Sequence, residues 1–362
     1  MCSCRSVCAS AILMSFLLLM LGGCSDSGSY GYEAPAPGTG YDFDALASTL
    51  DGFVGDDENE VSGYSFVLDI GGTTVFQRAA GEFSTGSVVP IASSAKAPAA
   101  AAILALVDEG LIDLAAPVSR YLNGAVVWPL SKSAITMGML LNHTSGIPFN
   151  SPCLSRQEMT LQACVQEIAD TQLDFLPGTM FGYSGAGYQV AGLVAQQVTG
   201  QSWAAVIRER VTAPLGMSSY SYGNTQNPRV AGGAVSSAGD YLRFARMMLD
   251  GGTYGGRTVL SPAQAAKIRT SQIGVLGSFF SPLPPGAGVD GYSFGWWISD
   301  VAGLGGSIGP EVSDPGLLGT TPWIEFGRNY AAVLLVDSNT ANGLAMWKAA
   351  RARIQEQIAA HP

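Results

Sequence analysis

The chain has 362 residues, 47% hydrophobic and only 13% charged, with a net charge of −10. That much apolar material supports one large domain, or two intimate ones, with a buried core and excludes a disordered chain. The acidic balance argues against nucleic-acid partners, and two histidines, His143 and His361, leave little from which to build a Ser-His-Asp triad or a His/Cys zinc site.

In chain order, the first element is an address. Arg5 precedes the apolar run Ala11–Leu21, whose 11 residues are too few to span a bilayer but suit a signal-peptide core. Leu21-Gly22-Gly23-Cys24 follows at once and resembles a bacterial lipobox. Residues 1–23 therefore read as a lipoprotein signal, with Cys24 as the lipidated residue. The expected location is the bacterial cell envelope, anchored in a membrane and facing the periplasm or the exterior. Ser25 after the cysteine favours the outer membrane. Ser25–Gly40 is mostly Ser, Gly, Tyr, Ala and Pro, so residues 24–40 read as a flexible tether to a body of residues 41–362. Of the six cysteines, Cys2, Cys4 and Cys8 lie in the signal. Cys153 and Cys164 remain, and in an oxidising compartment they point to a disulfide.

The body opens with a helix expected over Asp44–Asp57. Tyr64–Ile70, Gly71-Gly72 and Thr73–Arg78 read as a hairpin. Ser93–Glu109 is an Ala- and Leu-rich buried helix ended by Gly110. Helical patterns continue at Leu161–Thr171, Gly187–Thr199, Trp203–Val211 and Gly239–Leu249. Ser278–Gly291 reads as a Pro/Gly-rich loop. Strand signals return at Tyr292–Ser299, Trp323–Phe326 and Ala331–Val336, and Asn342–Ala359 closes the chain as a helix. The expected fold is mixed α/β (α+β). Terminal strands form one antiparallel sheet flanked by helices (about 41–90 and 290–362), with a mostly helical lobe (about 91–289) inserted. A cleft between the lobes is the expected ligand site.

Three short motifs carry chemistry. Ser93-Ser94-Ala95-Lys96 places a hydroxyl and an amine on one helix face, at a helix start whose partial positive charge favours a developing anion. A lysine buried there loses solvation, its pKa falls, and it becomes a base. The second motif is Tyr183-Ser184-Gly185, and the third is Asp314-Pro315-Gly316 before a late strand. Gly182–Ala186 also mimics a nucleophile elbow, but a later histidine is needed and only the terminal His361 offers one. His143, in a His-Thr-Ser-Gly turn, reads as structural, and Trp296, Trp297 and Trp323 as core residues.

Ile91 through Lys96, Leu140 through Pro148, the Pro177–Gly192 stretch, Pro214 through Met217, and Gly232-Gly233 through Asp240 occur in family order. Together they resemble class C β-lactamases and penicillin-binding-protein-like serine hydrolases, including family VIII-type esterases, over about residues 45–358. The resemblance implies a β-lactamase/transpeptidase-like fold, with Ser93 acylated and Lys96 and Tyr183 moving protons. It implies an oxyanion site at the N–H groups of Ser93 and Leu317, and substrate contacts from Gly185, Asp314 and Gly316. The ammonium of Lys96 is expected to lower the Tyr183 phenol pKa.

Two departures qualify that picture. The family's second motif ends in Asn where this chain has Gly185, and its third opens with Lys or His where this chain has Asp314. An anion at 314 that faces the substrate would repel a carboxylate, whereas one that points away would not act on it. The expected activity is therefore ester or amide hydrolysis on neutral or cationic small molecules or short peptides. A D-amino-acid peptidase, a weak β-lactamase, and an inactive member that binds a partner are the alternatives. Nothing in the sequence calls for a metal or organic cofactor, and it does not fix the oligomeric state.

Overall fold

The computed structural model describes residues 31–33, 40–55, 61–122, 124–285, 287–289, 291–299 and 309–361. The expected signal, Cys24 and most of the expected tether lie outside the described residues. Eight strands form one antiparallel sheet: β1 (Gly31–Glu33), β2 (Gly63–Ile70), β3 (Thr73–Gly81), β4 (Gly291–Tyr292), β5 (Trp297–Ser299), β6 (Glu311–Ser313), β7 (Thr321–Glu325) and β8 (Tyr330–Val336). Their order is β1-β3-β2-β8-β7-β6-β5-β4. The sheet is thus built from both ends of the chain, as the two-lobed expectation requires.

Alternation along the central strands assigns each face. On β2, Tyr64, Phe66 and Leu68 point to one side and Val67 to the other. On β8, Tyr330, Ala332 and Leu334 oppose Ala331, Val333 and Leu335. The first set packs under the terminal helices α1 (Asp44–Asp51) and α6 (Thr340–Ala360), around Trp323 and Trp347. The second faces the inserted lobe, built on α2 (Lys96–Asp108), α3 (Leu161–Asp170), α4 (Gly185–Thr199) and α5 (Ala238–Leu249). α2 reads AAAAILAL in its middle, and its small side chains let it lie buried on all sides.

Local chemistry sets the helix ends. Thr160, Ser184, Ser237 and Asn339 each accept an N–H three residues on. Several elements differ from expectation: the first helix ends at Asp51, short of Asp57, and Tyr292–Ser299 is split by a turn into the paired strands β4 and β5. Gly31–Glu33 lies within the expected tether yet pairs with β3, because an uncovered sheet edge offers free backbone groups to an extended segment. Glu311–Ser313 forms a strand where the sequence gives no apolar alternation. Ser278–Phe280 interrupts the expected loop as a short strand parallel to Phe181–Gly182.

Cys153 and Cys164 form the expected disulfide, with Cα atoms 5.1 Å apart and both residues fully buried. Closing a loop of this size contributes about 2–3 kcal/mol. The Cys153→Ala/Cys164→Ala variant is expected to melt several degrees lower than the wild type by calorimetry. An unchanged melting temperature would contradict a stabilising bridge.

Candidate active site

Ser93 lies in a short 3-10 turn, Ala92–Ala95, that runs directly into α2. The preceding residue, Ala92, has φ 45°, a left-handed conformation that costs an alanine energy and sharpens the bend on which Ser93 sits. Lys96 follows one turn later. Its Nζ lies 3.2 Å from Ser93 Oγ and 2.9 Å from the carbonyl oxygen of Ala231. It also sits 4.5 Å from the centre of the Tyr183 ring. The Ser93 hydroxyl and the Lys96 amine are thus in hydrogen-bonding reach, and the ring of Tyr183, far along the chain, lies against the amine.

Tyr183 is held by its neighbours on every side. Ser184 is the N-cap of α4, and its Oγ also donates to the carbonyl of Pro148. The backbone N–H of Ser184 donates to His143 Nδ1 at 3.1 Å, and that of Gly182 to the His143 carbonyl at 2.8 Å. With Nδ1 accepting, Nε2 carries the proton toward the Tyr292 hydroxyl, 3.1 Å away. Burial, then the Lys96 charge, hold the imidazole well below its usual pKa, so His143 is a neutral brace. Trp297 stacks on the Tyr183 ring, with centres 5.6 Å apart and planes at 16°.

Protonation is set by burial. Desolvation pushes Lys96 down to about 7, with Asp314 opposing and Arg229 assisting the shift. A large share of Lys96 is then a free amine at neutral pH, able to take the Ser93 proton. Tyr183 moves the other way from expectation. Burial and then the Asp314 charge push its phenol up, against smaller pulls from the Ser93 hydrogen bond and Arg229. Tyr183 is a neutral phenol, and base capacity rests with Lys96.

The cleft beside these groups encloses about 140 Å³. Ala92, Phe149, Arg229 and Gly232 line the helical side, and Pro315, Leu317 and Thr340 the sheet side. Ser93 and Leu317 both border it, and among the described residues neither backbone N–H donates to another backbone carbonyl. Gly185 also lines it. A Cβ there would meet Leu154, Phe149 and Ala231 only at 3.5–3.8 Å, so space does not force a glycine. The Ala231 carbonyl orients Lys96, which needs no amide at 185.

Two expected substrate contacts are corrected. Asp314 does not line the cleft. It is fully buried beneath the nucleophile turn, where its carboxylate accepts from the N–H of Ala97 at 3.1 Å and its carbonyl from Ser94 Oγ. An acceptor is favoured at that helix start, whose N–H groups lack partners. Burial pushes its carboxyl well above the usual range. Gly316 also lies outside the cleft, packed against Ile91 and Ala92. Sequence reasoning missed Arg229 and Ala231. The Ala231 contribution is a backbone oxygen, which leaves no mark on side-chain identity.

A family model described as Beta-lactamase matches residues 44–356. The chain belongs to the Beta-lactamase family. This Beta-lactamase-family chain is 31% identical over 255 residues to penicillin-binding protein 4 of Amycolatopsis lactamdurans, covering 62% of the chain and 65% of that relative. The match thus spans under two thirds of the relative's length. Among solved structures, a beta-lactamase-like protein from Bacteroides dorei superposes with TM-score 0.74 at 26% identity, covering 88% of this chain and 99% of that one. A family VIII carboxylesterase shares the fold at TM-score 0.70 and 19% identity, covering 90% and 100%.

The protonation state of Lys96 gives a direct expectation for activity. Its acid form cannot accept the Ser93 proton, so kcat/KM should rise with pH through about 7 and then level. A pH–rate profile measures this. An acid limb absent between pH 5 and 9 would contradict a Lys96 base.

Proposed function

We propose that this chain is a serine hydrolase that forms an acyl-enzyme on Ser93 and cleaves esters or amides. The observation that carries the proposal is the buried Lys96 amine within hydrogen-bonding distance of Ser93 Oγ. Ser93 Oγ attacks the acyl carbonyl as its proton passes to Lys96 Nζ. The oxyanion is held by the N–H groups of Ser93 and Leu317. The Lys96 ammonium returns the proton to the departing oxygen or nitrogen, with the Tyr183 hydroxyl relaying it. Water then repeats the sequence in reverse, with Lys96 again the base.

The experiment is turnover of 4-nitrophenyl butyrate beside nitrocefin, each with wild type and Ser93→Ala. Ester turnover that Ser93→Ala abolishes is expected. Nitrocefin turnover should be slow, because among the described residues no cation lines the sheet side of the cleft. Equal efficiency on both would favour a β-lactamase, and no turnover of either a binding role. Arg5, the run Ala11–Leu21 and Cys24 support export and lipid anchoring to the envelope. Fatty-acid labelling lost in Cys24→Ser would bear that out, and labelling retained would contradict it.

A further inference from the structure

The charges lining the cleft are of one sign. Lys96 lies at its floor and Arg229 at its mouth, while among the described residues no Asp or Glu lines it. Arg229 is exposed, and its guanidinium pairs with no carboxylate among the described residues. We propose that Arg229 is an anion subsite of this cleft, and that the substrate is an ester or amide bearing a carboxylate that docks on its guanidinium. The proposal rests on the hydrolase reading above and reverses the substrate charge that Asp314 suggested.

The backbone under Arg229 is fixed to a degree that a solvated surface arginine does not need. Gln189, fully buried on α4, bonds the chain on both sides of it: Nε2 donates to the Pro228 carbonyl at 2.9 Å, and Oε1 accepts from the Val230 N–H at 3.1 Å. Asn227, also buried, ties Gln189 to the Cys153 carbonyl, which belongs to the disulfide loop. The Arg229 carbonyl in turn accepts from the N–H groups of Gly232 and Gly233 at 2.9 and 2.7 Å. The same tight turn presents the Ala231 carbonyl to Lys96. One rigid segment thus aims the lysine and carries the arginine.

The charge of Arg229 also reaches the reacting groups: it adds to the burial that lowers Lys96 and offsets a small part of the burial that raises Tyr183. On a chain of net charge −10, anions are repelled in general. A guanidinium carried at the mouth on this fixed backbone is a feature that would draw one in, and its planar fork suits a carboxylate bidentately. Exposed Phe149 and Leu317 border the same cleft and offer apolar contact to the rest of the substrate.

The test uses the full chain and matched esters. Mono-4-nitrophenyl glutarate against 4-nitrophenyl butyrate places the carboxylate on the acyl side. 4-Carboxyphenyl butyrate against phenyl butyrate places it on the leaving side. Wild type is expected to prefer the anionic member of at least one pair by about tenfold in kcat/KM, as for loss of one charge-assisted contact. Arg229→Gln should bring that ratio to about one, and Arg229→Lys should restore part of it. Ratios unmoved by Arg229→Gln would overturn the subsite while leaving the hydrolase reading intact. If wild type turns over no ester, the hydrolase reading fails instead. Calorimetric binding of monomethyl glutarate to Ser93→Ala then decides the subsite. Binding lost with Arg229→Gln supports it, and binding absent or unchanged overturns it.

Discussion

Lys96→Met is expected to lower kcat/KM for 4-nitrophenyl butyrate by about 10²- to 10⁴-fold, the usual contribution of a general base. The same variant is expected to be more stable than the wild type. Methionine keeps the length of the side chain and needs no solvation at a site where Lys96 is only 2% exposed. The stability difference has a defined pH dependence. The Lys96 pKa in the fold is about 7, below its unfolded value near 10.5, so the unfolded chain binds more protons between the two. Wild-type stability therefore falls as pH drops from about 10.5 to 7, and the deficit is complete below that. The melting-temperature advantage of Lys96→Met should be largest below pH 7 and shrink toward pH 10. An inactive variant that also melts well below the wild type would point to a structural role for the amine.

Gly316→Ala is the second large expectation. Its new methyl would fall 2.6 Å from the carbonyl oxygen of Ile91 and 3.2 Å from Ser94 Oγ. Both belong to the turn that carries Ser93, and the nearer contact is backbone, which cannot swing away. Relief requires the sheet edge and the nucleophile turn to part. A displacement near 1 Å at reacting atoms costs about 10²-fold in rate, with about 1–3 kcal/mol of stability lost to overpacking. The kinetic loss should appear in kcat, because parting the two moves Ser93 relative to the Leu317 side of the cleft. Unchanged kcat would show that this contact does not set the position of Ser93.

The fold was legible wherever one residue type repeated at the period of its element. The alternation in Tyr64–Ile70 and the strand signal of Ala331–Val336 located the central strands to within a residue or two of Gly63–Ile70 and Tyr330–Val336. Glu311–Ser313 was illegible because its first residue is a fully buried acid, satisfied by Arg351 at 2.8 Å from a helix forty positions later. No local pattern announces that pairing. The site divides the same way. The spacing of Ser93 and Lys96 is a property of one helix and could be read directly. Which way Asp314 turns depends on α2 lying against the sheet edge, so its sequence position did not reveal that it lies beneath the nucleophile turn and off the cleft. Tyr183 was placed by its motif, yet its protonation follows from burial among His143, Tyr292 and Trp297, which only the assembled lobes provide.

The convergence of Ser93, Lys96 and Tyr183 is most directly tested by a fluorophosphonate probe followed by intact-mass and peptide-mass measurement. One adduct per chain is expected, on the peptide containing Ser93, forming much more slowly in Lys96→Met. Absence of an adduct on folded protein, or an adduct confined to another serine, would contradict the site described.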